Sequence, residues 1–250
     1  MGSGWGWGNR GLFPGSEYAA KVKATSPTTL IAYWMLSEPS GTAAICEINT
    51  AQNGTHSGMT LGQTGIGDGH TSILADGAND HTTVYSTTFR DAFSGVAGTL
   101  AGWAKVSAVG VWGDSTNRWL VNLLVDADNQ VYIRKTTNSN QLRLSYIAGG
   151  TSEAAATTSL AGTTDWFHMA ITWDKAPGTG EVKYYLNGAS AGTTDTALGV
   201  WAGSLVSTNT CIGASSTTPA NVFDGYQAHW NVWTSALTAA QVATLAVVGG

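Results

Sequence analysis

Residues 165–174 read DWFHMAITWD. In an extended chain successive side chains point to opposite faces, so Phe167, Met169, Ile171 and Trp173 share one side and His168, Ala170 and Thr172 the other. Four large apolar residues at a spacing of two predict a strand with one face in a core. The same reading recurs on either side. It predicts strands over 30–36, 72–75, 82–85, 99–106, 118–125, 130–135, 141–147, 182–186, 210–213 and 223–233. Turn residues lie between them. Asp126-Ala127-Asp128-Asn129 links two apolar runs, and Asn187-Gly188 follows Tyr184-Tyr185-Leu186 with the left-handed preference that a tight hairpin needs. Many short strands punctuated in this way predict an all-β fold, a two-sheet antiparallel β-sandwich. Helix signals are few. Thr238 is placed as an N-cap for residues 239–245, before Gly249, and residues 17–24 have room for one or two turns before Pro27.

Residues 1–28 differ from the rest. Gly2, Gly4, Gly6, Gly8 and Gly11 interleave with Trp5, Trp7 and Asn9, and no amphipathic period survives that much glycine. The reading is an N-terminal arm over 1–28, followed by one domain over 29–250. The start has neither a basic nor an apolar leader segment, so no secretion signal is expected.

Composition narrows the function classes. Charged residues are 11% of the chain and hydrophobic ones 43%, with a net charge of −5. The core is well supplied, while the surface is built from short neutral polar side chains. No Lys/Arg run exists, which argues against a nucleic-acid partner, and no apolar stretch approaches the ~20 residues of a membrane span. Cys46 and Cys211 lack metal-type spacing and read as buried free thiols, a disulfide being open to them only if the fold brings them together.

Six segments, taken in order, resemble the laminin-G-like and concanavalin A-like lectin jelly rolls. They are LIAYWMLSEPSGTAA from Leu30, LADGANDHTTV from Leu74, TLAGWAKV from Thr99, DWFHMAITWD from Asp165, VKYYLNGASAGT from Val182, and VFDGYQAHWNVWTSALTAAQVATL from Val222. The resemblance implies a jelly roll closed by a short helix. Related domains often carry an acidic pair in the closing strand; here Gln227, Ala228 and His229 fill that stretch and only Asp224 remains.

The same fold hosts laminarinase-type glycoside hydrolases, which place Glu-x-Asp-x-x-Glu on one strand so that alternate carboxylates flank the scissile bond. Glu17, Glu38, Glu47, Glu153 and Glu181 have no acidic partner at strand spacing. Asp126 and Asp128 have the spacing but sit in a hairpin, where turn capping accounts for them. His168 reads as a hydrogen-bonded structural side chain beside the sheet. A non-catalytic protein is expected.

Two kinds of site remain. Lectin-like domains often hold calcium at a sandwich edge, through six to eight hard oxygens. Asp76, Asn79, Asp80 and Asp224 are the candidate ligands, with Asp68 able to join; turn capping is the competing account. Of the tryptophans, Trp34, Trp103, Trp119, Trp173 and Trp230 fall in strands and are expected in the core. Trp112 and Trp201 sit beside glycines and are candidates for stacking on sugar rings. Trp5 and Trp7 have no core of their own to enter, so docking on a neighbouring chain or on the domain body is expected. A jelly roll with such an arm and no leader resembles bacteriophage virion proteins. The resemblance implies a structural or adhesion role at the virion surface, with other virion proteins or copies of itself as partners. The alternative is an extracellular, calcium-dependent carbohydrate-binding module.

Overall fold

The computed structural model describes residues 14–138, 140–160, 162–176 and 180–249. Trp5 and Trp7 lie outside them. The described chain opens with helix α1 (Pro14–Ala24), then β1 (Leu30–Trp34), β2 (Ala43–Ala44), β3 (Gly54–Ser57), β4 (Thr60–Thr64), β5 (Thr71–Asp76) and β6 (His81–Thr83). Helix α2 (Thr87–Ala92) precedes β7 (Ala97–Val106), β8 (Arg118–Asp126), β9 (Asn129–Lys135), β10 (Gln141–Ala148) and β11 (Thr151–Ser159). After them come β12 (Phe167–Asp174), β13 (Glu181–Leu186), β14 (Ala189–Ser190), β15 (Asp195–Thr196), β16 (Cys211–Ile212), β17 (Asp224–Trp233) and α3 (Ala239–Leu245).

The strands form two antiparallel sheets. The first runs β14-β13-β12-β7-β17-β5-β4, with β1 also on β17 and β15 also on β13; the second runs β11-β10-β9-β8-β16-β6-β3-β2. The inward faces meet in one core. Phe167, Met169, Ile171 and Trp173 of β12 lie there with Trp34, Leu144, Tyr146 and Trp230, as the alternation predicts. Gly102 makes room: a Cβ at that position would stand 2.5 Å from the Trp230 ring.

The opposite face of β12 is buried as well, and the reason lies in the helices. Helices α1 and α3 cover the outer face of the first sheet, closing a second apolar layer of Tyr18, Val22, Tyr33, Trp103, Ala170, Tyr185, Trp233, Val242 and Leu245. The Trp103 indole N–H donates to the Tyr18 hydroxyl (2.6 Å), which donates in turn to the Leu245 carbonyl (2.9 Å). Lys21 reaches the Val247 carbonyl (2.9 Å), and Lys23 pairs with Glu47 (2.8 Å). This corrects the arm boundary. Residues 14–24, expected in the arm, are part of the domain, because Tyr18 and Val22 are fully buried in it. The closing helix forms where expected, with Thr238 and Gln241 making a reciprocal capping box.

Cys46 and Cys211 are both buried and both free. Among the described residues no helix is long and apolar enough to cross a membrane.

Candidate functional site

Among the described residues no helix packs on the outer face of the second sheet, and alternation decides what stands there. In β9, Val131 and Ile133 enter the core; in β10, Leu142, Leu144 and Tyr146 do. Their neighbours Tyr132, Arg134, Arg143 and Ser145 must therefore point outward. Strand register sets them in rows. Trp119 pairs with Arg134, and Arg134 with Arg143; Asn122 pairs with Tyr132, and Tyr132 with Ser145.

The Trp119 and Tyr132 rings are 4.5 Å apart between centroids and inclined by 37°. The Arg134 guanidinium lies 5.6 Å from each centroid. Trp119 and Arg143 are partly exposed, while Ser145 is fully buried. Nε of Arg134, Nε of Arg143 and Oγ of Ser145 are buried without a hydrogen-bond partner. Beside them the polar groups are satisfied: Asn122 donates to the Ser215 carbonyl and accepts from Gln130, both at 2.8 Å. The face thus combines an aromatic ledge with unpaired donors, which is what a polar ligand with apolar ring faces requires.

Trp119 is a correction to the sequence reading, which placed it in the core. A register shift in β8 between Trp119 and Val121 accompanies the change of face. Trp112 is corrected in the other direction. It is 1% exposed, its indole N–H donates to the Thr163 carbonyl (2.7 Å), and its ring meets Phe167, so it offers no face to a sugar. Trp201 is half-buried. It lies flat against Gly95, where a Cβ would come within 1.9 Å of the indole, and lines a cleft with Arg90, Asp91, Phe93 and Ser204.

Three of the four residues expected to hold calcium already accept hydrogen bonds. Asp80 Oδ2 accepts the Asp76 N–H (2.8 Å), Asp76 Oδ1 accepts the Ala78 N–H (2.9 Å), and Asp224 accepts from the Ser107 hydroxyl. Asn79 is exposed. A cation already meets this turn: Arg118 donates to the carbonyls of Gly77 (3.4 Å) and Val222 (3.0 Å) while paired with Asp114. Asp68 is elsewhere, accepting from the His70 N–H (3.1 Å) with its other oxygen 3.1 Å from His229 Nε2, off the line of a hydrogen bond. Among the described residues no three His, Cys, Asp or Glu side chains are arranged to hold a metal ion. Burial, and then the charge of Asp76, raises the Asp80 carboxyl above its ordinary value. At Asp114 burial acts in the same sense, but the hydrogen bonds from Lys135 and Arg118 outweigh it and hold that carboxyl low.

His168 also departs from expectation. It lies beside the sheet, but neither ring nitrogen has a hydrogen-bond partner; the ring stands edge-on to Trp103 at 5.2 Å. Asp126 caps its hairpin, accepting from the N–H of Asp128 (2.9 Å) and from Asn129 (3.0 Å).

Residues 75–243 match the family described as the concanavalin A-like lectin/glucanases superfamily. The chain belongs to this superfamily. Among solved structures, this lectin-like domain is similar to Trypanosoma rangeli sialidase in complex with sialic acid, at a TM-score of 0.66 and 13% identity over 94% of this chain and 38% of that one. It is also similar to domain 4 of AbnA, a GH43 extracellular arabinanase from Geobacillus stearothermophilus, in complex with arabinotriose. There the TM-score is 0.60 and the identity 16%, over 88% of this chain and 98% of that one. The receptor-binding domain of botulinum neurotoxin mosaic serotype C/D gives a TM-score of 0.64 at 10% identity, over 87% and 50%. The chain spans little more than a third of the sialidase. At these identities the likeness is one of fold. No curated protein sequence matches.

Proposed function

We propose that this lectin-like domain is a non-catalytic carbohydrate-binding module, and that the outer face around Trp119 and Tyr132 takes the glycan. The observation that carries the proposal is the partly exposed Trp119 ring in one cross-strand row with Arg134 and Arg143, whose Nε atoms are unpaired. Pyranose rings present apolar CH faces to an aromatic plane and hydroxyls to the donors around it. The arabinotriose complex of AbnA domain 4, a chain that this one covers almost end to end, supports the reading. So does the chemistry of the face. Hydrolysis needs two carboxyl groups flanking the scissile bond, and Trp119, Asn122, Tyr132, Arg134, Arg143 and Ser145 supply none.

The test is a glycan array followed by affinity electrophoresis in the best polysaccharide. Trp119→Ala should weaken binding at least about tenfold, the loss of one stacking contact of ~1.4 kcal/mol or more, with the melting temperature little changed. A wild-type protein that binds no glycan at millimolar concentration would end this reading.

A second reading keeps the same domain on a virion surface, with Trp5 and Trp7 as the anchor to other virion proteins or to another copy. The glycine-rich sequence 1–11, joined to a docked helix, favours it. Removing residues 1–11 should leave a folded, glycan-binding domain that no longer joins a particle. Normal incorporation of the truncated chain would refute the anchor and leave the extracellular module.

A further inference from the structure

We propose, building on that glycan-binding reading, that the ligand is an acidic carbohydrate whose carboxylate or sulfate lies between Arg134 and Arg143. The two arginines are direct register partners on β9 and β10, so their side chains leave the same face from adjacent positions. Like charges placed directly opposite across a ladder destabilise a sheet. Here the two are partly buried, and each has an Nε shielded from water with no acceptor.

Arg134 does lie over the Trp119 and Tyr132 rings, but most of the other described cations also meet an oxygen acceptor. Arg118 and Lys135 share Asp114, Lys23 pairs with Glu47, Arg90 with Asp91, and Lys183 with Glu181. Lys21 and Lys175 reach backbone carbonyls. Lys105 lies over the rings of Tyr226 and Trp166 on the other sheet. In a chain with net charge −5, the Arg134–Arg143 pair is a local concentration of positive charge, and among the described residues neither has an ion pair with a carboxylate.

An anion between them answers both problems at once. It neutralises the repulsion, and its oxygens accept from two guanidinium forks, the geometry in which arginine binds carboxylate and oxyanion groups most strongly. The rest of the face suits a sugar rather than a free ion. The row from Trp119 through Arg134 to Arg143 crosses three strands, about 10 Å at the usual strand spacing. A ring stacked at the Trp119 end therefore leaves its acidic substituent, or that of the next unit, at the arginine end. Ser145, one outward step along β10, is fully buried with its Oγ unpaired.

The experiment is affinity electrophoresis and calorimetry of the full chain against polygalacturonate, dextran sulfate and neutral dextran, in low and high salt. Wild type should bind at least one of the acidic polymers and bind neutral dextran at least tenfold more weakly. Retention by polygalacturonate alone identifies a carboxylate, and retention by dextran sulfate a sulfate. Arg143→Gln and Arg134→Gln should each weaken acidic-polymer binding tenfold or more, while Lys23→Gln, which removes an equal charge elsewhere, leaves it within twofold. Circular dichroism melts confirm that each variant folds. If Lys23→Gln weakens binding as much as the arginine variants, the attraction is general charge and the inference falls. If neutral glycans bind as well as acidic ones, with Trp119→Ala sensitive and Arg143→Gln not, the acidic ligand falls while the glycan-binding reading stands. If no polymer or array glycan binds, both fall.

Discussion

His168 places two polar nitrogens in a fully buried position and gives neither a partner. Such a group costs roughly 1–3 kcal/mol relative to an apolar one of similar shape. Burial also pulls its pKa from 6.5 down to about 3. The unfolded chain therefore takes up this proton below about pH 6.5 and the folded protein only near pH 3. The unfolded state binds more protons across that window, so stability falls as pH drops through it, at up to about 1.4 kcal/mol per pH unit. His168→Leu should raise the denaturation midpoint at pH 7 and flatten its fall between pH 6 and 4, measured by urea titration at each pH. A lower midpoint at pH 7 would mean that the ring makes a polar contact after all. The sequence placed His168 on the correct side of its strand, since period two is a backbone property. It did not reveal that this side faces helices and Trp103 rather than a hydrogen-bonding partner, because that depends on elements far away in sequence. Trp119 shows the same limit in reverse. The alternation in 130–135 and 141–147 does put Tyr132, Arg134, Arg143 and Ser145 outward, so the site was half legible once those strands are paired.

At the scale of elements, helix α1 is held by a relay in which one hydroxyl serves two partners. Tyr18→Phe keeps the packing but leaves the Trp103 N–H and the Leu245 carbonyl unpaired, at an expected cost of about 2–4 kcal/mol. Loss of α1 docking should appear first as faster amide exchange in α3. The turn at Asp76–Asp80 makes a separate prediction. With one oxygen each of Asp76 and Asp80 accepting a backbone N–H and Arg118 in place, millimolar calcium should not shift the melting temperature relative to chelator. A clear rise would show that the turn rearranges around an ion. Long apolar strands were readable at nearly their full extent, and so was α3, through Thr238. The short strands β2, β3 and β4 and the longer β11 were not. Their sequences are mostly Ala, Gly, Ser and Thr with little alternation of large apolar residues, so they are strands by pairing with neighbours rather than by their own pattern. Helix α2 was missed for its length, although Ser86 caps it by accepting the Phe89 N–H (3.0 Å).

Over the whole molecule, the thiols report on the core. Cys46 and Cys211 are buried and unpaired, and burial pushes the Cys211 thiol up to about 12. Neither should react with a thiol reagent in the native state, both should react on unfolding, and a reductant should not move the melting temperature. Labelling of the folded protein would contradict the packing described. At this scale the sequence read the sandwich correctly and drew the boundary of its arm too late, because the apolar side of α1 becomes visible only against the face it covers.

The pairing of α1 with the chain's closing residues has one more consequence. Tyr18 touches Leu245 and Lys21 touches Val247, so the two ends of the described fold meet on one side of the sandwich, behind the first sheet. Trp119, Arg134 and Arg143 look out from the other side. The described segments nearest either end, α1 and the residues that close α3, are thus neighbours on the side away from Trp119. Such a unit can be spliced into a surface loop of a host protein, or rejoined end to end and reopened elsewhere, without turning the Trp119 face away from solution.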